Sequence, residues 1–334
     1  MPVETKFFSR IVRGLCIVEL VFQGANIQAW RATESQSQEP PQSGPVAQKI
    51  VTLSVTILDK DDLPVRDVKQ GEFRLLEDGK EQGIRTFAFG TRQPLVLGLL
   101  MQWSGQRRDT LPYAEIDPAG QFFRTLLTKH DVSYAARFAG TAQTLADFIN
   151  DPSEIDRGLR AAMSVPYYGP SALFDSLVWA CEEKLSTRPG RRVLLLVADG
   201  HDNASRKSLS DAIKCALRSQ TTIYVVSLAR ANPFLTKTPV LPPPVLELDH
   251  SELKQAIHVM SELAGKTGGE AIFVQRQEDL ARAFDNIDRE LRNQYLVEFS
   301  PNNETHHRSF HRIKIEVKGQ GLRVLVPEGY FASQ

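Results

Sequence analysis

Continuous apolar segments alternate with amphipathic segments between residues 93 and 292, and this alternation restricts the fold more than any other feature of the sequence. The apolar segments are LVLGLLM, DVSYAARFA, RRVLLLVAD, TTIYVVSL and EAIFV. The amphipathic segments are DPAGQFFRTLLTKH, SALFDSLVWACEEKL, SLSDAIKCALRSQ, SELKQAIHVMSELAGKTGG and EDLARAFDNIDREL. Strands that are apolar throughout are buried on both faces, and the helices that connect them pack against those faces of the sheet. The sequence therefore predicts an α/β fold with a doubly wound, mostly parallel sheet.

Two β-rich segments, residues 50–90 and 293–333, flank this region. VTLSVTIL and FHRIKIEVK alternate apolar and polar residues with the period of half-buried strands, and Asp78-Gly79 is a strong hairpin-turn signal. Neither segment is large enough to be stable alone. We therefore predict that they pack together as one small β module, into which the α/β domain at 93–292 is inserted.

The N-terminal residues have the order of a secretory signal. Lys6, Arg10 and Arg13 precede the apolar stretch GLCIVELVF and a small residue, Ala29. The sequence predicts a signal peptide at 1–29, with an open cleavage point, and a disordered linker at 30–48 that is rich in Pro, Ser and Gln. The alternative for the first residues is an amphipathic or disordered tail. If the signal is used, we expect an exported protein, periplasmic or extracellular, without an integral membrane segment after processing.

Charge and cysteine content exclude several classes of function. The 40 basic and 40 acidic side chains cancel, so no overall field attracts nucleic acid. Cys181 and Cys215 lie in predicted helices and are interpreted as small core residues, with a disulfide as the alternative. No C-x-x-C metal spacing is present. Recognition is therefore expected to be local, of a protein or a surface component.

Three polar loops are expected at one edge of the predicted sheet: MQWSGQ, YYGPSALFD and ADGHDNAS. Together with the strand and helix order, they resemble the von Willebrand factor type A family, whose fold is Rossmann-like. The resemblance implies a metal-ion-dependent adhesion site, built from D-x-S-x-S in the first loop, Thr in the second and Asp in the third. Hydroxyl and carboxylate oxygens of this kind suit Mg²⁺.

This chain departs from the family pattern at the residues that would bind the metal. Gln102 stands at the Asp position, Ser104 matches the first Ser, and Gln106 replaces the second. Ser171 replaces Thr, and Asp199 matches the third loop. The resemblance thus implies a degenerate site of Ser104, Ser171 and Asp199 that binds Mg²⁺ or Mn²⁺ weakly or not at all.

Each residue of this predicted site has a structural alternative. Ser171 is a suitable helix N-cap, and Asp199-Gly200 is a turn sequence. Trp103 and His201 are expected at the rim of the ligand surface. The Trp103 ring would either offer a stacking contact there or fold down over the pocket.

A bacterial subfamily, the VWFA-related domain named for Acidobacteria, is similar over nearly all of residues 50–333. The similar stretches are VTLSVTILDKDDLPV, FRLLEDGKEQGIRTF, GPSALFDSL, LLLVADGHDNAS and the C-terminal QYLVEFSPN with HRIKIEVKGQGLRVLVPEGYFA. The resemblance implies β segments on both sides of the A-type domain. It also implies export, because members of the subfamily usually carry export signals.

The leading functional prediction is a non-enzymatic interaction or adhesion-type module that uses the top face of the sheet. A second prediction is a structural subunit that assembles through edge strands of the β module. A third is a hydrolase in which Ser104 is the nucleophile, with His201 and Asp199 or Asp202 as base and acid. QWSGQ lacks the glycines of a nucleophile elbow, and no nucleotide-binding glycine motif occurs. We therefore assign no catalytic residue from the sequence.

Overall fold

A computed structural model describes residues 50–90, 93–103, 111–165, 169–227, 250–274, 279–301 and 309–332, without the side chains of 111–115 and 250. The predicted signal peptide at 1–29, the linker at 30–48, Ser104 and Gln106 lie outside these residues. Within the described ranges, no helix is both long enough and apolar enough to cross a membrane.

The centre of the structure is a six-stranded sheet. Its strands are β5 (Leu95–Gln102), β6 (Val132–Phe138), β7 (Ala142–Ile149), β8 (Arg191–Ala198), β9 (Thr221–Ser227) and β10 (Ala271–Phe273). They lie in the order β10-β9-β8-β5-β6-β7, and every neighbouring pair is parallel except β6 and β7. The order reverses direction between β5 and β8, which confirms the predicted doubly wound, mostly parallel sheet.

Helices cover both faces of this sheet. They are α1 (Leu111–Leu126), α2 (Pro152–Met163), α3 (Leu173–Trp179), α4 (Leu209–Arg218), α5 (His250–Thr267) and α6 (Asp279–Arg292). Side chains of α1, α2 and α6 enter one core cluster, and those of α3, α4 and α5 enter a second cluster on the opposite face. The helix α3 continues through a π-helical turn, Ala180–Lys184. Cys181 and Cys215 are free, buried thiols in the second cluster.

The flanking segments form two four-stranded antiparallel sheets. Their strands are β1 (Val51–Leu58), β2 (Phe73–Glu77), β3 (Lys80–Gln82), β4 (Ile84–Phe89), β11 (Gln294–Phe299), β12 (Phe310–Val317), β13 (Arg323–Leu325) and β14 (Gly329–Phe331). The orders are β13-β1-β11-β4 and β14-β12-β2-β3, so strands from both ends of the chain mix in each sheet.

The two small sheets share one hydrophobic core and so form a β-sandwich. In β12, Ile313 and Ile315 are buried while Lys314 between them is exposed, as the alternation of the sequence predicts. Asp78 and Gly79 both have positive φ, at 50° and 80°, which produces the tight turn between β2 and β3. The sequence pattern thus specifies which faces meet inside the sandwich.

The sandwich and the α/β domain are joined by short connections and a buried polar cluster. Only Asn293 separates α6 from β11, and the backbone N–H of Gly90 donates to Gln294 O at 2.9 Å. Arg323 of β13 pairs with Glu270 across the joint at 2.7 Å. Glu290 of α6 is 4 % exposed in the same region. Burial, and then the neighbouring Glu270 carboxyl, raises the pKa of Glu290.

Candidate functional site at the carboxyl edge of the sheet

The candidate site lies where the strand order reverses. Gln102 is the last residue of β5, and Asp199 directly follows β8, the strand that pairs with β5. Ser171 precedes α3. The structure brings these three predicted residues together, since parallel strands end at the same edge of a sheet.

Gln102 links the other two residues through its side-chain amide. Its Oε1 accepts a hydrogen bond from the backbone N–H of Asp199 at 2.8 Å, and its Nε2 donates to Ser171 Oγ at 3.3 Å. The side chain is fully buried. An amide supplies both an acceptor and a donor, whereas the carboxylate expected here from the family pattern supplies only acceptors. Gln102 therefore holds the first, second and third loops together with neutral hydrogen bonds.

Ser171 connects the second loop to the third on several atoms. Its hydroxyl donates to the carbonyl of His201 at 2.7 Å, and its backbone N–H donates to Asn203 Oδ1 at 2.7 Å. Its carbonyl accepts from the N–H groups of Asn203 and Ala204, each at 3.0 Å. Because the hydroxyl points toward the third loop, the interpretation of Ser171 as the N-cap of the following helix is wrong.

The first turn of α3 is instead capped by side chains from the third loop. The N-cap residue, Ala172, offers no side-chain acceptor. Asp202 Oδ2 accepts from the N–H of Phe174 at 3.1 Å, and Ser205 Oγ accepts from the N–H of Asp175 at 3.0 Å. These contacts satisfy N–H groups that the helix itself leaves unpaired. They fix the third loop to the start of α3.

Asp199 is engaged with His201. Its Oδ1 accepts the backbone N–H of His201 at 2.9 Å and lies 3.4 Å from His201 Nδ1. The hydrogen bond that the Asp199 carboxylate accepts from the imidazole raises the pKa of His201, against an opposing effect of burial. His201 Nε2 is buried and has no hydrogen-bond partner among the described residues. The carboxylate thus orients the imidazole at the rim of the site.

Trp103 follows Gln102 at the edge of the sheet. Its ring is partly buried against the first core cluster, and its backbone N–H group donates to Phe138 O at 2.6 Å. The guanidinium carbon of Arg137 lies 5.5 Å from the ring centroid. Arg137 is itself buried and donates to the carbonyls of Ala162 and Val165 at 2.9 and 3.1 Å. The indole is therefore a supported, partly exposed ring at the rim.

The described residues do not fit a Mg²⁺ site. The Gln102 oxygen that would face a cation accepts the Asp199 N–H, and Ser171 Oγ accepts from the Gln102 amide. Of these three residues, Asp199 supplies the carboxylate, and its Oδ1 accepts a hydrogen bond from the backbone N–H of His201. Across the described part of the chain, no group of three or more His, Cys, Asp or Glu residues is arranged to hold a metal. Mg²⁺ loses its hydration shell reluctantly and needs several free oxygen ligands.

Several residues of this network were not predicted from the sequence. Arg137 could have been noticed, because it is a charge inside an otherwise apolar strand. Asn203, Asp175 and Ser205 carry no comparable signal. Their roles depend on the contact of the third loop with Ser171 and the first turn of α3, which lie about thirty residues earlier in the chain. The Asp175–Ser205 bond, for example, spans 30 positions.

The site and the sheet order define an α/β domain with a polar loop cluster at the strand reversal, joined to a β-sandwich. No family model and no curated protein sequence matches the chain. An aerotolerance-related membrane protein of Bacteroides fragilis has a similar structure, with 16% identity, coverage of 59% of this chain and 98% of that one, and a TM-score of 0.45.

Two further solved structures are similar. The von Willebrand factor type A protein of Catenulispora acidiphila is 12% identical, with coverage of 87% of this chain and 75% of that one and a TM-score of 0.45. Proximal thread matrix protein 1 of the mussel byssus is 11% identical, with coverage of 65% and 51% and a TM-score of 0.48. Similarity at this level defines neither a family nor a function for the chain.

Proposed function

We propose that the chain is an exported protein-binding module of the von Willebrand A type, in the subfamily named for Acidobacteria, and that its top face binds a partner non-enzymatically and without a divalent ion. The assignment rests on the resemblance of the sequence stretches between residues 50 and 333 to that subfamily. The signal-like pattern of residues 1–29 supports export. The top face is the surface formed by Trp103, His201 and the loops around Gln102.

The observation that carries this proposal is the buried amide of Gln102. Its hydrogen bonds to the Asp199 N–H and to Ser171 Oγ connect the three loops that an ion would otherwise connect. Gln102, Ser171 and the start of the third loop are thereby held together without a charged ligand. A rigid surface of this kind can bind a partner with little cost of ordering.

Trp103 is the proposed anchor for a protein partner. Large aromatic side chains on a supported surface contribute most of the binding energy in many protein interfaces. The Trp103 ring is partly exposed, packs on the core and has the Arg137 guanidinium beside it. The partner is therefore expected to present an apolar group to the indole rather than a carboxylate to a metal.

Calorimetric titration of Mg²⁺ and Mn²⁺ tests the metal part of the proposal. We expect no binding to the unaltered chain. We expect measurable binding to the Gln102→Asp, Gln106→Ser double variant, because it restores a second carboxylate and a hydroxyl. Micromolar to millimolar binding by the unaltered chain would contradict the proposal and would favour a metal-bridged acidic partner.

Partner capture tests the binding part. The unaltered chain is cross-linked to its partners in EDTA or in Mg²⁺, and we expect the same partners to be recovered in both. The Trp103→Ala variant should recover less of them. Trp179→Ala is a matched control, because that ring is also partly buried and has a cation, Lys184 Nζ, at 5.5 Å. Equal loss in both tryptophan variants would indicate a general effect on folding and not a binding surface.

A second candidate is assembly through sheet edges. Among the described strands, β3, β4, β13 and β14 lie at the edges of the two sandwich sheets. Unpaired strand edges can bind another chain. Mass in solution, before and after removal of residues 1–48 and the final strand, separates this candidate from a monomeric binder.

The hydrolase hypothesis for Ser104 is tested by ester and peptide substrates with Ser104→Ala as the control.

A further inference from the structure

Three polar side chains form a linear hydrogen-bonded relay in the β-sandwich, away from the top face. Ser309 directly precedes β12 and His311 is the second residue of that strand, so the two side chains lie on the same side of the backbone. Asp78 lies in the turn between β2 and β3, 233 positions from His311 in the sequence. The pairing of β12 with β2 brings this turn beside them.

Both contacts in the relay are at hydrogen-bond distance, and the chemistry of the carboxylate indicates the direction of each bond. His311 Nδ1 lies 2.8 Å from Asp78 Oδ2, and His311 Nε2 lies 2.7 Å from Ser309 Oγ. An ionised carboxylate is only an acceptor, so a neutral imidazole must carry its proton on Nδ1. The lone pair of Nε2 then accepts the hydroxyl proton of Ser309. This tautomer is the one in which an imidazole can act as a general base.

The surroundings hold both the carboxylate and the ring in place. Asp78 Oδ1 accepts the backbone N–H of Arg312 at 2.8 Å, and the Asp78 N–H donates to Arg312 O at 2.9 Å. Burial acts to raise the pKa of Asp78, but the hydrogen bonds from Arg312 and His311 outweigh it and lower that pKa. The ring of Tyr330 stacks on His311 at 5.5 Å. Asp78 is therefore ionised at neutral pH, and the imidazole is fixed in orientation.

We propose that Ser309 is an activated nucleophile, with His311 as its base and Asp78 as the residue that orients His311, and that it accepts the acyl group of a carboxylic ester. This site lies in the sandwich and uses none of the residues of the top face. It is independent of the proposed binding function and of the hypothesis that concerns Ser104.

The proposed step is a simple acyl transfer. Ser309 Oγ forms a bond to the carbonyl carbon of the ester while its proton passes to His311 Nε2. The bond between that carbon and the alcohol oxygen breaks, and the alcohol leaves with the proton from His311. The products are an acylated Ser309 and a free alcohol. Water then attacks the acyl carbon with His311 as base, which restores the hydroxyl and releases the acid.

The competing explanation is that the relay only fastens the turn between β2 and β3 to β12. Both explanations predict that Asp78 and His311 contribute to stability. Only an activated nucleophile predicts unusual chemical reactivity of Ser309 Oγ. Reactivity is therefore the measurement that separates them.

The test is the rate at which a fluorophosphonate probe labels the full chain. The serine oxygen replaces fluoride on phosphorus, and the labelled residue is located by peptide mass. Ser300 is an internal control, because it is also partly exposed and its hydroxyl accepts from Arg85 Nη1 at 2.8 Å instead of facing an imidazole. We expect Ser309 to react about 100-fold faster than Ser300, or more, which is the usual contribution of a positioned base. Mapping also separates Ser309 from Ser104.

Three variants complete the test. Ser309→Ala should lose the label without a change in thermal midpoint, and acetylation by p-nitrophenyl acetate should be lost with it. Asp78→Asn tolerates the same positive φ, and we expect labelling to fall at least 10-fold with the fold retained. His311→Gln removes the base and should lower labelling to the Ser300 rate. The proposal is overturned if Ser309 reacts no faster than Ser300, or if neither Asp78→Asn nor His311→Gln slows it.

Discussion

Gln102 Oε1 lies 2.8 Å from the backbone nitrogen of Asp199, and this hydrogen bond joins the ends of two neighbouring strands, β5 and β8. The bond is made inside the protein, because the Gln102 side chain is fully buried. A buried backbone N–H that loses its partner destabilises the folded state. The position that would carry a metal ligand in the family pattern therefore carries a structural residue here.

Replacement of Gln102 by Met keeps the size of the side chain and removes its hydrogen bonds to the Asp199 N–H and to Ser171 Oγ. We expect Gln102→Met to lower the free energy of unfolding by about 1–3 kcal/mol, because the Asp199 N–H is left unpaired. Urea denaturation measures this change. The control is Gln121→Met on the exposed surface of α1, for which we expect a change within about 0.5 kcal/mol. Equal effects in the two variants would contradict the structural role.

Replacement of Gly98 by Ala should damage the central sheet. A Cβ on Gly98 would lie 2.5 Å from Tyr134 Cε1, on the adjacent strand, where the ring is fully buried. We expect Gly98→Ala to cost about 1–3 kcal/mol through overpacking. Gly83→Ala is the matched control, since a Cβ added there would meet no atom within 4 Å and the φ of Gly83 is not positive. Thermal unfolding of the two variants, compared with the parent, checks the prediction.

Glu290 should make stability dependent on pH. Burial, and then Glu270, raises its pKa to about 9, from a reference value of 4.5. Between these values the folded chain holds a proton that the unfolded chain releases, so the contribution of Glu290 to stability is complete below about pH 4.5 and is lost as the pH rises toward 9. The neutral variant Glu290→Gln should remove this contribution.

Urea midpoints measured from pH 5 to 9 test the role of Glu290. The slope of stability against pH should become flatter in Glu290→Gln, while the exposed control Glu183→Gln should keep the slope of the parent. If Glu290→Gln and the parent lose stability in parallel over this range, Glu290 is ionised in the folded state and the prediction fails.

The fold was largely predictable because it depends on local patterns. The apolar stretch LVLGLLM and the alternation around Ile313 and Ile315 predict strands that the structure contains. The Asp78-Gly79 turn likewise needs only two residues in the left-handed region. Such signals arise from neighbouring residues and are visible without knowledge of the tertiary structure.

The site was predictable in position but not in chemistry. The loop order places Gln102, Ser171 and Asp199 at one edge, yet the sequence does not reveal that the Gln102 amide bonds to a backbone N–H 97 positions away. The Ser309, His311 and Asp78 relay is still less visible, because it depends on the pairing of β12 with β2. Hydrogen-bond networks between distant segments follow from tertiary structure and have no local sequence signature.

The mixed order of strands in the sandwich has a consequence for folding during synthesis. β1 pairs with β11 and β13, and β2 pairs with β12, so β1 and β2 leave the ribosome more than two hundred residues before these neighbours. Domains generally fold as units as they emerge. The inserted α/β domain is therefore expected to fold first. Until then both edges of β1 are unpaired with these strands, and the sandwich is expected to fold last.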